Sequence, residues 1–152
     1  VVAGRRELVA HALLELGADA VLARAEFEAE PRMLEPAAYD AVLDTVGGRV
    51  LAGLIARTKP GGAIAACGNA GGMDLPTSVA PFILRGVRLI GVNSVHPATA
   101  IRDAAWVRLA ADLPGPVLDS LTEVIGLDEA ITAAERVLAG EVHGRIVVDV
   151  RS

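Results

Sequence analysis

The chain has 152 residues, of which 53% are hydrophobic and 3% aromatic, and its formal net charge is −5. That length suits one ordinary domain and that composition excludes a disordered chain, while the few aromatics and the lack of a Lys/Arg block argue against nucleic acid as a partner. With Cys67 as the single cysteine, neither an internal disulfide nor a cysteine-built zinc site can form.

Taken in order, Val1, Val2 and Ala3 form a short strand, followed by Gly4, Arg5 and Arg6. The spacing of Leu8, Ala12 and Leu16 predicts a helix from Glu7 to Leu16, capped by Gly17 in the left-handed conformation. Ala20, Val21 and Leu22 form a second strand. Residues 23–38 are charged and contain prolines, so they read as a surface loop with one helical turn.

The centre of the chain is more informative. The apolar run Ala41-Val42-Leu43 ends in Asp44-Thr45 and the pair Gly47-Gly48. A helix over residues 50–56 follows, with Leu51, Leu54 and Ile55 as its apolar stripe, and Lys59-Pro60-Gly61-Gly62 stops it. A second apolar run, residues 63–66, breaks on Gly68 and the pair Gly71-Gly72. Strand, glycine turn, helix and strand imply a βαβ unit with parallel strands. In open parallel sheets, ligands bind outside the carboxyl ends of the strands, where both glycine turns fall. Glycine there either admits a ligand close to the backbone or simply makes a tight turn.

Residues 75–77 are extended, and residues 79–84 form a short helix with Pro81 near its start. Residues 87–92 (VRLIGV) form a strand with Asn93 and Ser94 at its carboxyl end. Residues 99–113 form an amphipathic helix, with Trp106 packed on the sheet, that ends on Pro114-Gly115-Pro116. A strand over 122–125, a helix over 127–138 stopped by Gly140, and a last strand over 146–150 complete the pattern. This alternation predicts a layered α/β fold.

No uncharged apolar run reaches the roughly 18–20 residues of a spanning helix. The amino end carries no leader pattern of basic start, apolar core and small-residue cleavage site. A cytoplasmic protein is therefore expected. The histidines at 11, 96 and 143 share no spacing that suggests metal ligation, and each reads as a surface residue. Cys67, in a run of small residues, reads as a packed thiol. Asp40 and Asp44 flank a strand without the marks of an acid/base pair. Arg5 and Arg6, at a strand end before a helix, either form a solvated face or grip a phosphate.

The runs YDAVLDTVGG, KPGGAIAACGNAGG, LPTSVAPFILRGVRLIGVNSV, AWVRLAADLP and HGRIVVDV together resemble the medium-chain dehydrogenase/reductases. Within them, the resemblance is to the zinc-free quinone oxidoreductase type and its acryloyl-CoA reductase subfamily. The resemblance implies a Rossmann-like, doubly wound and mainly parallel sheet. It also implies an NADP(H)-dependent oxidoreductase that reduces activated C=C bonds of small molecules, such as enoyl thioesters, or quinones. By the same resemblance, Arg5 or Arg6 meets the 2′-phosphate, and Thr45 and Val46 border the nucleotide. Gly68 and Asn69 lie along the cofactor, Val92, Asn93 and Ser94 face the nicotinamide, and Arg145 sits near the cofactor. The resemblance also implies a homodimer through the edge strand that runs from Val87 to Val92, and an apolar edge does need a partner or a cover.

Two departures accompany the resemblance. The family's catalytic amino-terminal domain is absent from these 152 residues, as are its first strand and pyrophosphate turn, and no G-x-G-x-x-G motif occurs. The chain is therefore expected to be a partial cofactor domain with a return strand at its end, inactive alone. Two other readings stay open: a Rossmann-like methyltransferase, and a nucleotide-binding or dimerisation module without chemistry.

Overall fold

A computed structural model describes residues 1–3, 10, 13–30, 32–113 and 115–151. It divides the chain into two compact units, Val1–Pro97 and Ala98–Ser152.

In the first unit, β1 (Val2–Ala3) pairs in parallel with β2 (Leu22–Ala23). Arg24–Phe27 forms a 3-10 turn directly after β2. A second sheet has the order β3 (Tyr39–Asp44), β4 (Thr58–Ala66), β5 (Arg88–Gly91), again all parallel. Its register places Val42 beside Ile64 and Asp44 beside Ala66, and on the far side Ala66 beside Gly91. The parallel α/β layering is the Rossmann-like arrangement that the strand–turn–helix pattern implies. Of the helix expected over 7–16, residues 10 and 13–15 are helical, and residues 7–9, 11 and 12 lie outside the described residues. Its cap Gly17 has a φ of 94°, as a left-handed terminator requires.

The helix α1 (Gly48–Ala56) links β3 to β4 and is buried on nearly every side, more than a stripe would suggest. Its small residues Ala52, Gly53 and Ala56 let neighbours approach from several directions. Leu51 and Ile55 pack with Ile64 and Val87 on one side. Val50 and Leu54 pack with Phe27 on another, joined by Val2, Leu22 and Tyr39. A helix that is apolar all round belongs in the interior, and α1 ties the two sheets of this unit together.

Lys59-Pro60-Gly61-Gly62 does not separate helix from strand as expected. Helix α1 ends at Ala56, and the segment lies inside β4. Pairing jumps from Tyr39 with Thr58 to Ala41 with Ala63, so the segment forms an irregularity in the ladder. Pro60 has no N–H to give to pairing, and Gly61 has a φ of 76°, so the deviation is local chemistry. A short helix, α2 (Ala80–Arg85), precedes β5.

The second unit contains α3 (Thr99–Asp112), α4 (Gly115–Ser120), β6 (Thr122–Gly126), α5 (Ala130–Ala139) and β7 (Arg145–Asp149). β6 and β7 pair in parallel, Thr122 beside Arg145, and Ile125 and Ala133 are buried. Gly140 ends α5 with a φ of 72°, as anticipated. One expectation fails here. Trp106 is 61% exposed, and no residue of α3 is buried. Helix α3 ends at Asp112, just before the Pro-Gly-Pro run as expected, and Gly115 and Pro116 open the next helix, α4. Proline is tolerated in a first helical turn because its missing N–H has no intrahelical role there.

Candidate functional site

Parallel pairing brings the carboxyl ends of β3, β4 and β5 to one edge of the sheet. Thr45 and Val46 follow β3, Gly68 and Asn69 follow β4, and Val92, Asn93 and Ser94 follow β5. Thr45, Asn69, Val92, Asn93 and Ser94 are exposed, and Val46 and Gly68 are half-buried. The sequence singled out these seven residues, and the sheet sets them on one edge. Arg145 stands in the other unit, at the start of β7, where its backbone N–H donates to Leu121 O at 2.8 Å. Arg5 and Arg6 lie outside the described residues.

Asp44, the last residue of β3, is 2% exposed. Its Oδ2 accepts the Gly47 N–H at 2.9 Å, and its Oδ1 accepts the Val46 N–H at 3.3 Å. Its main-chain carbonyl accepts the Cys67 N–H at 2.9 Å and the Cys67 thiol at 3.3 Å. Cys67 is thus a half-buried, hydrogen-bonded thiol, in line with its sequence context. The first glycine turn then leads into α1, whose N-cap is Gly47 at a φ of 71°.

The glycines of the two turns serve mainly each other. A Cβ on Gly47 would stand 2.9 Å from Gly72 O, and one on Gly48 would stand 2.9 Å from Gly71 O. A Cβ on Gly68 would overlap the Thr45 backbone. The Gly71 N–H also donates to Val46 O at 2.6 Å. The close approach that glycine permits here is therefore between two turns of the chain.

Two cavities open beside this junction. One, of about 570 Å³, is lined by Gly47, Gly48, Arg49, Gly71, Gly72 and Arg24, among others. The other, of about 510 Å³, is lined by Val2, Leu22, Tyr39, Val42, Leu43 and Thr45, among others. Arg24, Val46 and Val50 border both. Arg24 is the residue that sequence reasoning passed over. The second strand runs one residue later than expected, so Arg24 stands directly after it, at a strand end instead of inside a loop. Its guanidinium is half-exposed and pairs with Glu28 at 2.8 Å. A cation immediately after a short apolar run was the available signal.

At the end of β5, Asn93 Oδ1 accepts the N–H groups of Val95 and His96, both at 3.1 Å, so the side-chain oxygen shapes its own loop. His96 and His143 are exposed, as expected of surface histidines, and His11 lies outside the described residues. Among the described residues, no group of three or more His, Cys, Asp or Glu is arranged to hold a metal ion. No helix among them is long and apolar enough to cross a membrane.

Comparison with known proteins places this geometry in context. Residues 1–111 match the model of the zinc-binding dehydrogenase family. The probable acrylyl-CoA reductase AcuI of Escherichia coli K12 is 47% identical over 145 residues, covering 95% of this chain and 44% of that protein. The crystal structure of the yhdH oxidoreductase from Salmonella enterica in complex with NADP superposes with a TM-score of 0.93 at 45% identity, covering 98% of this chain and 45% of that one. The structure of Bacillus subtilis yhfP with NAD bound gives a TM-score of 0.89 at 34% identity, covering 98% and 46%. The chain thus spans a little under half the length of these relatives.

Proposed function

The chain belongs to the zinc-binding dehydrogenase family, and on that premise we propose that it is the cofactor-binding portion of an NADPH-dependent oxidoreductase. The reaction is reduction of an activated C=C bond, as in acryloyl-CoA or another enoyl thioester, or of a quinone. The observation that carries this reading is the 570 Å³ cavity at the carboxyl end of β3, walled by Arg24, Val46 and both glycine turns. The names of the relatives support the reaction class, and the NADP in the Salmonella structure supports the cofactor. They favour a reductase over a methyltransferase or a module without chemistry.

In this reading Thr45 and Val46 border the nucleotide, and Gly68 and Asn69 lie along it. Val92, Asn93 and Ser94 lie at its nicotinamide end, with Arg145 near the cofactor. Arg24 joins Arg5 or Arg6 at the phosphate end, where guanidinium forks suit a 2′-phosphate. The bound nicotinamide supplies the hydride that the electron-poor β-carbon takes up. The chain's own residues bind and orient, and catalytic groups come from a separate domain of the protein. The reading includes no catalytic zinc.

The sheet supports an additional strand in the complete domain. Among the described residues β1 pairs only with β2 and β3 only with β4, and both line the 510 Å³ cavity. One further parallel strand would complete the hydrogen bonding of both edges. The reading also includes a cytoplasmic protein and a homodimer through the edge from Val87 to Val92, supported by the exposed Leu89, Ile90 and Val92.

The test is calorimetric titration of the intact protein with NADPH and NADH, followed by turnover of acryloyl-CoA and of a quinone. Tight NADPH binding with NADPH-dependent reduction of either substrate is expected. Absence of binding to both nucleotides would overturn the proposal.

A further inference from the structure

Asp44 is the one buried ionisable side chain among the described residues. A carboxylate taken out of water must be met by donors, and here both oxygens meet backbone N–H groups of the turn that follows. One of those N–H groups belongs to Val46. The other main-chain group of Val46, its carbonyl, is held by the Gly71 N–H at 2.6 Å. The residue is thus clamped from both sides, by Asp44 in one turn and Gly71 in the other. The residue is one of the walls of the 570 Å³ cavity.

We infer that Asp44 is a positioning residue for the cofactor cleft, acting through Val46. The inference rests on the cofactor reading given above. The carboxylate offers acceptors only, and both are used. Replacement by asparagine sets an amide N–H₂ against one of the two backbone N–H groups, so a donor faces a donor. Val46 or Gly47 then loses its anchor, and the wall that both residues give the 570 Å³ cavity shifts. Because the Asp44 carbonyl also holds Cys67, the residue links the starts of both glycine turns. Removing its side chain acts on the first turn and leaves the main-chain bond in place.

The experiment is a double-mutant cycle on the NADPH dissociation constant of the intact protein, with Asp44→Asn, Val46→Ala and both together. Asp44→Asn alone is expected to weaken NADPH binding roughly tenfold, the scale of one lost hydrogen bond to a charged group. In the Val46→Ala background the same change is expected to cost about twofold or less, because contacting residues in one network are not additive. A merely structural role would give the same loss in both backgrounds, and that result, or an unchanged affinity in Asp44→Asn, overturns the inference. Gly71→Ala is the second variant, should Asp44→Asn fail to fold. Its Cβ would press on Val46 from the other side, 3.0 Å from Cγ1 and 3.2 Å from the carbonyl oxygen, without touching the carboxylate. It is expected to weaken NADPH binding several-fold, and no effect would overturn the inference. Wild-type protein that binds no NADPH would overturn the cofactor reading and the inference with it, whereas binding that ignores these substitutions would overturn the inference alone.

Discussion

Gly68 lies so close to Thr45 that a methyl group in place of its hydrogen would overlap the Thr45 carbonyl group. The obstruction is backbone, which cannot turn aside as a flexible side chain can. Gly68→Ala is therefore expected to push the two glycine turns apart and to destabilise the fold by about 1–3 kcal/mol, the usual cost of overpacking a filled site. Urea unfolding of wild type and variant measures this. Unchanged stability would show that the turns are free to separate.

Arg85, the last residue of α2, reaches three carbonyl groups distant in sequence. One guanidinium nitrogen donates to Ala56 O at 2.9 Å and Thr58 O at 3.1 Å, and the other donates to Glu35 O at 2.6 Å. It thereby closes the carboxyl end of α1, where carbonyls lack helical partners. Arg85→Ala is expected to cost about 1–3 kcal/mol, because three carbonyls lose a hydrogen bond to a charged group, while Ala56 O keeps the Glu35 N–H at 3.0 Å. Arg85→Lys is expected to recover only part of the loss, since an ammonium group lacks the planar fork. Denaturation midpoints of the two variants distinguish these outcomes.

The second unit carries a pH-dependent tie. The Arg136 guanidinium donates two hydrogen bonds of 2.8 Å to the Glu123 carboxylate. Chiefly through these bonds, with a coulombic contribution from the same charge, Arg136 holds the Glu123 carboxyl below the usual carboxylate range. A depressed folded value means that the stabilisation is present above the unfolded value of about 4.3 and is lost as pH falls through the lower folded value. The effect is confined to acid pH and is small, because both groups are exposed. An NMR titration checks it: Arg136→Ala is expected to move the Glu123 midpoint upward, and an unmoved midpoint would remove the tie.

The proposed dimer edge has its own test. Leu89 is 38% exposed and Ile90 49% exposed on β5, whose outer side has no strand partner among the described residues. Ile90→Glu places a charge on that edge, an arrangement that discourages strand-to-strand association. Light scattering is expected to show the mass of the intact protein fall to that of one subunit. A wild-type protein already monomeric would refute the dimer.

Local chemistry carried much of this fold. Gly17 and Gly140 end helices with left-handed backbone as their positions foretold, because a C-terminal cap depends on the few residues around it. The order of apolar runs and glycine turns implied parallel pairing. Parallel pairing by itself sends Thr45, Val46, Gly68, Asn69, Val92, Asn93 and Ser94 to one edge, whatever else the chain does. What tertiary structure alone decided is what those elements meet. The glycines of residues 47, 48, 68 and 71 face the opposite turn, a contact between segments about twenty residues apart that no local pattern encodes. Arg24 became a wall of both cavities because β2 runs one residue further than its apolar run suggested. Trp106 stayed exposed because burial depends on an opposing surface, which a helix's own sequence does not contain. Asp44 looked unremarkable as an acid at a strand end. Its role emerges only when burial strips away water and leaves two backbone N–H groups as its partners.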